Sequence, residues 1–513
     1  MTSLRPLHPP GITIRELATH DDLHLVRGNA DTRLTGVELA SSRVVPGDLF
    51  VALPGAKQHG ALFAPEAIAC GAVAVLTDET GAGMIADSSI PLIVTEHPRE
   101  ILGAISALVF ASSDSSRLTF GITGTNGKTS ITYALATLLE RAGITTALST
   151  TAARRIGSRE ITSSLTTPEA PELHAFLGVA KELGVGALAL EVSAQALSRH
   201  RVAGIHFDVV CFANLSHDHL DDYESLEEYF AAKASLFSPD IATRGVICVD
   251  DEWGQRLAAS AQIPFVTLTS HSEREADWHV TITSESIERT SFVVRGNGVE
   301  IHSHIPLLGS FMAVNAALAI VMAISAGLDV DEVTRVVGGD DGIPVFVPGR
   351  LEVVSGPVGP VAVVDYGHTP EAFRLCLEAL RRVTPGRIIM VFGADGDRDT
   401  LKRPELGAIA ARLADTVIVT DYHPRSEDPA LIRAALLAGA RSARPEGDIR
   451  EVSDPARAVR AAVALAKTGD VVFYAGPGHE NYREIAGRKV SFNAREEVRA
   501  ALSEAGYPTG EVE

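Results

Sequence analysis

The densest chemistry in this sequence lies in Gly121-Ile122-Thr123-Gly124-Thr125-Asn126-Gly127-Lys128-Thr129-Ser130. Glycines this close together let the backbone turn so that successive N–H groups converge on an anion. Lys128 follows as a point cation able to reach terminal phosphates, and the Thr129 hydroxyl can bind Mg2+. The strict phosphate-loop pattern asks for glycine at 122, where this chain has isoleucine. A bare Gly-rich turn is the competing reading, and it leaves Gly-Lys-Thr at the start of a helix unexplained.

Two further clusters carry metal-capable side chains. Glu191-Val192-Ser193 follows an apolar run over 187–190, and Asn214-Leu215-Ser216-His217-Asp218-His219-Leu220-Asp221 follows another over 209–213. Taken singly, Glu191 or His219 is an ordinary polar residue at a strand end. Open α/β sheets bind ligands at the carboxyl ends of their strands, so both together with a phosphate loop point to a Mg2+–ATP site. Lys233 stands among aromatic and small residues in Tyr229-Phe230-Ala231-Ala232-Lys233-Ala234-Ser235-Leu236-Phe237. A lysine in such a helix ordinarily runs its stem along the surface to solvent.

These groups need a frame that delivers strand ends to one edge. Strands are expected over 118–123, 187–192, 209–213 and 245–249, with a helix over 129–142. Alternation of this kind implies a mostly parallel sheet covered on both faces. Period-two alternation over 280–305 suggests a local antiparallel section. Residues 1–112 read as a small N-terminal α/β domain, 113–344 as a phosphate-loop ATPase-like domain, and 345–513 as a Rossmann-like α/β domain. Pro344, Pro348 and Gly349 mark the second boundary.

Bulk properties exclude several classes. With 45 basic against 65 acidic residues the net charge is −20, so the global field does not attract nucleic acid or anionic lipid. Phosphorylated substrates therefore need local donors. Residues 1–27 lack the apolar segment of a secretory signal. The longest apolar run, over 313–327, is short for a membrane span and reads as a buried helix. Cys70, Cys211, Cys248 and Cys376 form no CxxC pair and read as small core residues of a reducing compartment. A cytoplasmic monomer is the expectation.

The ordered set of motifs resembles the Mur ligases, most closely the MurE type that extends a UDP-N-acetylmuramoyl-dipeptide by one amino acid. The resemblance runs through the phosphate loop, Thr166-Thr167-Pro168, Glu191-Val192-Ser193, Arg201-Val202, Asp218-His219-Leu220-Asp221 and Ala232-Lys233. It continues through Pro348-Gly349-Arg350, Asp365-Tyr366-Gly367-His368-Thr369-Pro370, Gly396-Asp397-Arg398-Asp399, Lys402-Arg403-Pro404, Ser426-Glu427-Asp428-Pro429 and Gly478-His479-Glu480.

It implies that Gly124, Thr125, Asn126, Gly127, Lys128, Thr129 and Ser130 hold ATP, helped by Asn315, Arg350 and Asp365. It implies Mg2+ on Thr129, Glu191, His219 and a carbamylated Lys233. Lys128, Lys233, His219 and Glu191 would be the catalytic set. Ser41, Thr166, Thr167, Ser193, Arg199 and Arg201 would meet the muramoyl-peptide. Arg398, Tyr422, His423, Pro424, Arg425, Gly476 and Glu480 would meet the incoming amino acid, with Glu480 facing an ammonium group. The reaction implied is ATP-dependent amide formation through an acyl phosphate, in peptidoglycan synthesis.

The chain departs from the family where substrates are recognised. Asp-Ser-Arg of the first domain is Ala40-Ser41-Ser42 here, or Ser41-Ser42-Arg43 with a one-residue shift. Asp-Asn-Pro-Arg is Tyr422-His423-Pro424-Arg425, which trades an acid and an amide for bulk. The amino acid added is therefore expected to be a diamino acid, with lysine, ornithine and diaminobutyrate open beside diaminopimelate. Competing readings are another Mur-type or folylpolyglutamate-synthetase-like amide ligase, or a non-catalytic nucleotide-binding relative. Lys128→Ala should abolish turnover while leaving the melting temperature unchanged. Near-normal ligation by the folded variant would remove the phosphate-loop assignment.

Overall fold

The computed structural model describes every residue except 1–3, 20–22, 56, 86–89, 115, 158, 163–164, 219–221 and 510–513. Eleven strands build its largest sheet. The middle is parallel: Thr146–Ser149, Ala187–Glu191, Leu118–Thr123, Phe207–Phe212, Ala242–Cys248, Phe265–Thr269 and Trp278–Glu285 lie side by side in that order. Both faces of these strands are apolar, and helices cover both. Each fully buried Leu, Ile or Phe side chain stabilises by about 1.5–3 kcal/mol.

Antiparallel strands finish each edge. Ala153–Ile156 and Arg159–Thr162 form a hairpin at one side, and Thr290–Gly296 with Val299–Ile305 extend the other. The antiparallel section expected over 280–305 is thus three strands, beginning at Trp278. The apolar run over 313–327 lies in the helix Ser310–Ser325, packed inside the largest core. No helix among the described residues is long and apolar enough to cross a membrane.

Two smaller α/β domains flank this sheet. The first carries five strands, ordered His24–Arg27, Leu92–Val94, Ala74–Thr77, Asp48–Val51 and Gly36–Glu38. The last carries six, with Val471–Ala475 set between Val361–Asp365 and Ile388–Phe392, followed by Thr416–Val419 and Asp448–Glu451. Only the short edge strand Glu352–Val353 runs antiparallel there. One cysteine differs from expectation. Cys211, Cys248 and Cys376 are buried, but Cys70 is exposed, because it ends a short helix whose Ala64 and Ala67 turn inward.

The first domain is bolted to the central one. Its helix Pro98–Phe110 comes so close to the next domain that a Cβ on Gly103 would lie 2.1 Å from the Ala203 carbonyl oxygen. Beside it, His174 is fully buried between Ser112 and Ala203. Its Nε2 lies 2.9 Å from the Ala203 carbonyl, so that nitrogen carries the proton; Nδ1 then accepts from the Ser112 hydroxyl at 2.7 Å. Arg99 and Arg201 both bind the Glu169 carboxylate, a second bond across the same seam.

Burial pushes the His174 imidazole down to about 4 from its ordinary 6.5. An unfolded chain takes up this proton below pH 6.5 while the native one refuses it until about 4. Stability is therefore lost as pH falls through that window, by about 2 kcal/mol at pH 5 for this one group. Thermal melts at pH 7 and pH 5 should show a smaller drop for His174→Gln than for the unaltered protein. Equal drops would show that His174 is not the group that charges on unfolding.

Candidate active site

The strand Leu118–Thr123 ends in the phosphate loop, and the helix Lys128–Arg141 begins there without any side-chain cap. Its first N–H groups thus have no side chain of their own to bind. Gly127 takes φ 88°, and a Cβ there would lie 2.7 Å from Asn315 Oδ1. Asn214 fixes the loop from the neighbouring strand end: its Oδ1 accepts from the Asn126 N–H at 2.9 Å, and its carbonyl accepts from the Thr125 N–H at 3.0 Å. A cavity of about 820 Å³, lined by Asn214, Asp250, His271, Phe311 and Asn315, opens beside the loop.

Two lysine amines meet over this loop. Lys128 Nζ donates to the carbonyls of Gly124 and Thr125, both at 2.9 Å, and Lys233 Nζ donates to the same Gly124 carbonyl at 2.9 Å. Lys233 does not reach solvent; it is 1 % exposed and stands 4.4 Å from the centre of the Tyr229 ring. Burial, then the charge of Lys128, push the Lys233 amine well below its ordinary value, against the pull of Asp218. Burial lowers Lys128 too, opposed by Glu191 and Asp218.

Oxygen donors suited to a hard cation surround the amines. Glu191 ends its strand buried, and both its oxygens are bound by Thr151, through the N–H at 3.2 Å and the hydroxyl at 2.9 Å. Arg350 Nη2 donates to Thr129 Oγ1 at 3.1 Å and stacks 4.5 Å over Tyr366. Asp365 accepts from the Leu351 and Gly367 N–H groups. Thr129, Glu191, Asp218, Arg350 and Asp365 line one cavity of about 200 Å³ with Lys128. His219 lies outside the described residues. Among those described, no group of three or more His, Cys, Asp and Glu side chains could hold a metal by itself. The donor set still fits Mg2+, which takes one or two carboxylates and completes its shell with phosphate oxygens and water.

A third cavity, of about 450 Å³, adjoins the second through Thr151, Thr166, Tyr366 and His368, which line both. Thr166, Ser193 and Arg201 line it from the central domain; Arg398, Tyr422, Arg425 and Glu480 line it from the last domain. Thr167 sits behind Ser193, giving its hydroxyl proton to the Glu191 carbonyl. His423, Pro424 and Gly476 are not in the wall. Arg199 is not either: it pairs with Asp222 at 3.1 Å, its side chain half-exposed. Ser41 lies in the first domain, outside all three cavities, bound to Glu66.

Tyr422 and His423 do not point away; both converge on Glu480. The Tyr422 hydroxyl donates to Oε2 of that carboxylate. His423 Nδ1 accepts from the Glu484 N–H at 2.8 Å, so Nε2 carries the proton and donates to the same Oε2 at 2.7 Å. Burial pushes the Glu480 carboxyl up, but the His423 and Tyr422 bonds outweigh it and hold it below the ordinary carboxylate value. Arg425, in left-handed backbone at φ 51°, faces Asp395 at 3.5 Å and Glu484 at 3.6 Å. Thr151 and Asp395 line these cavities although the sequence did not single them out: Thr151 carries no motif at all, whereas Asp395 sits beside Gly396 of a quoted one.

Three family models divide the chain: "Mur ligase family, catalytic domain" over 33–109, "Mur ligase middle domain" over 122–323, and "Mur ligase, glutamate ligase domain" over 349–478. A UDP-N-acetylmuramyl-tripeptide synthetase of Leifsonia xyli subsp. xyli is 55 % identical over 508 residues, 99 % of each chain. The chain belongs to the Mur ligase family. The UDP-N-acetylmuramoyl-L-alanyl-D-glutamate–2,6-diaminopimelate ligase of Streptomyces coelicolor is 41 % identical, covering 97 % of this chain and 98 % of its own. A solved diaminopimelate ligase superposes with a TM-score of 0.67 at 28 % identity, over 97 % of this chain and all of its own. Mur ligases are ATP-dependent amide ligases that work with Mg2+, which matches the donor set around the phosphate loop.

The double clamp on Glu480 is the feature of this Mur ligase that its sequence least suggested. His423→Phe should leave the carboxylate with one donor. Losing a hydrogen bond to a charged group costs about 1.5–3 kcal/mol, so KM for the amino substrate should rise roughly ten- to a hundredfold, with nucleotide affinity unchanged. An unaltered KM in steady-state assays would show that the clamp has no part in binding.

Proposed function

We propose that this Mur ligase adds a diamino acid with a single carboxylate to UDP-N-acetylmuramoyl-L-alanyl-D-glutamate, using ATP and Mg2+, in peptidoglycan synthesis. The observation that carries the reading is the shared wall of Thr151, Thr166, Tyr366 and His368 between the phosphate-loop cavity and the third cavity. That continuity supports a reading in which a carboxylate held from the central domain meets both a terminal phosphate and an amine held from the last domain. The 55 % identity to a tripeptide synthetase supports the same substrate pair.

In this reading the first domain binds the uridine end around Ser41, the central domain binds ATP, and the last binds the amino acid. Thr166, Ser193 and Arg201 hold the peptide. Its terminal carboxylate oxygen bonds to the γ-phosphorus and ADP leaves, giving an acyl phosphate. The amine then bonds to the acyl carbon, phosphate leaves, and the amine gives up a proton. Lys128 and Arg350 balance charge on the phosphates, and domain closure keeps water from the acyl phosphate. Mg2+ on Thr129, Glu191 and His219 would supply Lewis-acid stabilisation of the developing charge. CO2 reacts with an uncharged amine, a form that burial beside Lys128 favours at Lys233; in this reading Lys233 is carbamylated, its nitrogen bonding to the carbon and releasing a proton. In this reading the chain works as a cytoplasmic monomer.

The choice of amino acid follows from charge. Arg425 already faces two carboxylates, Asp395 and Glu484, so a third from the distal end of diaminopimelate gains little from it. Glu480 keeps Oε1 for a distal ammonium. This charge pattern favours lysine, ornithine or diaminobutyrate over diaminopimelate. The test offers all four at equal concentration, with the muramoyl dipeptide and ATP, to the purified enzyme. Phosphate release should require both dipeptide and amino acid, and the products should exclude diaminopimelate. A clear preference for diaminopimelate would show that Arg425 alone sets the choice.

A further inference from the structure

His479 takes no part in the steps so far, yet it lines the third cavity next to Glu480. Its backbone is pinned on two sides. A Cβ on Gly349 would lie 2.2 Å from the His479 nitrogen, and Arg495 Nη2 donates to the His479 carbonyl at 3.3 Å. The imidazole packs on the Tyr366 ring, with 4.9 Å between centroids, and a hydrogen bond ties it to the Thr151 backbone. Tyr366 and Thr151 are two of the four residues that line both cavities. The imidazole therefore stands at the wall the two cavities share.

Its two nitrogens are not alike. Nδ1 is buried and, among the described residues, has no hydrogen-bond partner. The bond to the Thr151 carbonyl thus belongs to Nε2, which carries the proton and leaves Nδ1 as a bare acceptor. Buried acceptors are ordinarily filled, and here a donor can arrive only through the cavity. Burial, then the charge of Arg350, push the ring down to about 4 from its ordinary 6.5, against the pull of Glu480. It is uncharged near pH 7. Glu480 is its opposite, a carboxylate held charged by Tyr422 and His423. One neighbour suits an ammonium. The other, in the field of Arg350 and Arg495, disfavours a cation and accepts from an uncharged amine. A diamino acid needs that distinction, because only a nitrogen with a free lone pair attacks an acyl phosphate.

We infer that His479 Nδ1 is the acceptor that orients the reacting amine of a diamino acid, while Glu480 keeps the other amine charged, so that two adjacent residues sort the two nitrogens. This role rests on the ligase reading above. In the step concerned the amine nitrogen bonds to the acyl carbon, the bond from that carbon to the phosphate oxygen breaks, and the nitrogen's proton leaves with the phosphate as hydrogen phosphate. Nδ1 holds the N–H in place and takes no net proton.

The test reads the two half-reactions separately, on the full chain with ATP, Mg2+ and UDP-N-acetylmuramoyl-L-alanyl-D-glutamate. Hydroxylamine, small and uncharged near pH 7, traps the acyl phosphate as a hydroxamate without needing a held amine. The diamino acid that wins the competition above reports amide formation. His479→Phe keeps a ring without an acceptor, His479→Asn puts an amide oxygen near the Nδ1 position, and His479→Gln puts one near Nε2. Hydroxamate formation should stay within twofold in all three. Amide formation at saturating amino acid should fall about a hundredfold in the Phe and Gln variants, and the Asn variant should recover to within tenfold of the unaltered enzyme. Rescue by Gln and not by Asn would give the role to Nε2. Equal loss of hydroxamate and amide in every variant would make His479 a support of the whole site. Either result overturns the inference. Hydroxamate absent even from the unaltered enzyme would overturn the ligase reading, and this role with it.

Discussion

Lys128 and Lys233 give their amines to one carbonyl oxygen, that of Gly124. Both are buried, and two ammonium groups sharing one neutral acceptor in low dielectric repel one another strongly. The arrangement is stable only if one amine is neutral or an anion stands close. Much of the surrounding structure answers that requirement. Glu191 and Asp218 offer charge from neighbouring strand ends, Thr151 and Lys402 hold those carboxylates, and Tyr229 supplies an aromatic face. The bare helix start and the turn at Gly127 leave room for the triphosphate that settles the balance.

Why this can be built at all is a matter of sheet polarity. In the central domain the phosphate loop, Glu191 and the segment Asn214–Asp218 all follow parallel strands, so they leave the sheet at one edge. In the last domain Asp365, Arg398, Tyr422 and Glu480 follow four parallel strands in the same manner. The two edges face each other. Each domain alone would present half a site, and the lining shared by Thr151, Thr166, Tyr366 and His368 is where the halves become continuous.

Strand ends are also why the sequence was legible where it was. The phosphate loop and Glu191 each end an apolar run long enough to read as a buried strand, so their placement needed only periodicity and parallel topology. The helix at Ser310–Ser325 was legible for the same reason. What did not show was anything set by tertiary packing. Thr151 follows a four-residue strand in a Thr-Thr-Ala stretch with no distinguishing type or spacing. The burial of Lys233 contradicts the ordinary expectation for a lysine, and only the family resemblance pointed inward. Tyr422 and His423 read as loss of an acid and an amide, while the gain, two donors on one oxygen of Glu480, depends on the backbone N–H of Glu484 fixing a tautomer. Cys70 read as core because its type favours burial, and its place at the end of a short helix turned it outward.

The seam between the first and central domains has a consequence for how molecules are told apart by size. Backbone meets backbone at Gly103 and Ala203, His174 is bonded on both nitrogens, and Glu169 is held by two arginines. Nothing there can slide without breaking several buried contacts at once. On the proposed assignment of Ser41 to the uridine end and of Thr166 and Ser193 to the peptide, such a seam would make the span between them a fixed length, a calliper whose jaws would pass a substrate one residue longer or shorter out of reach of the phosphate.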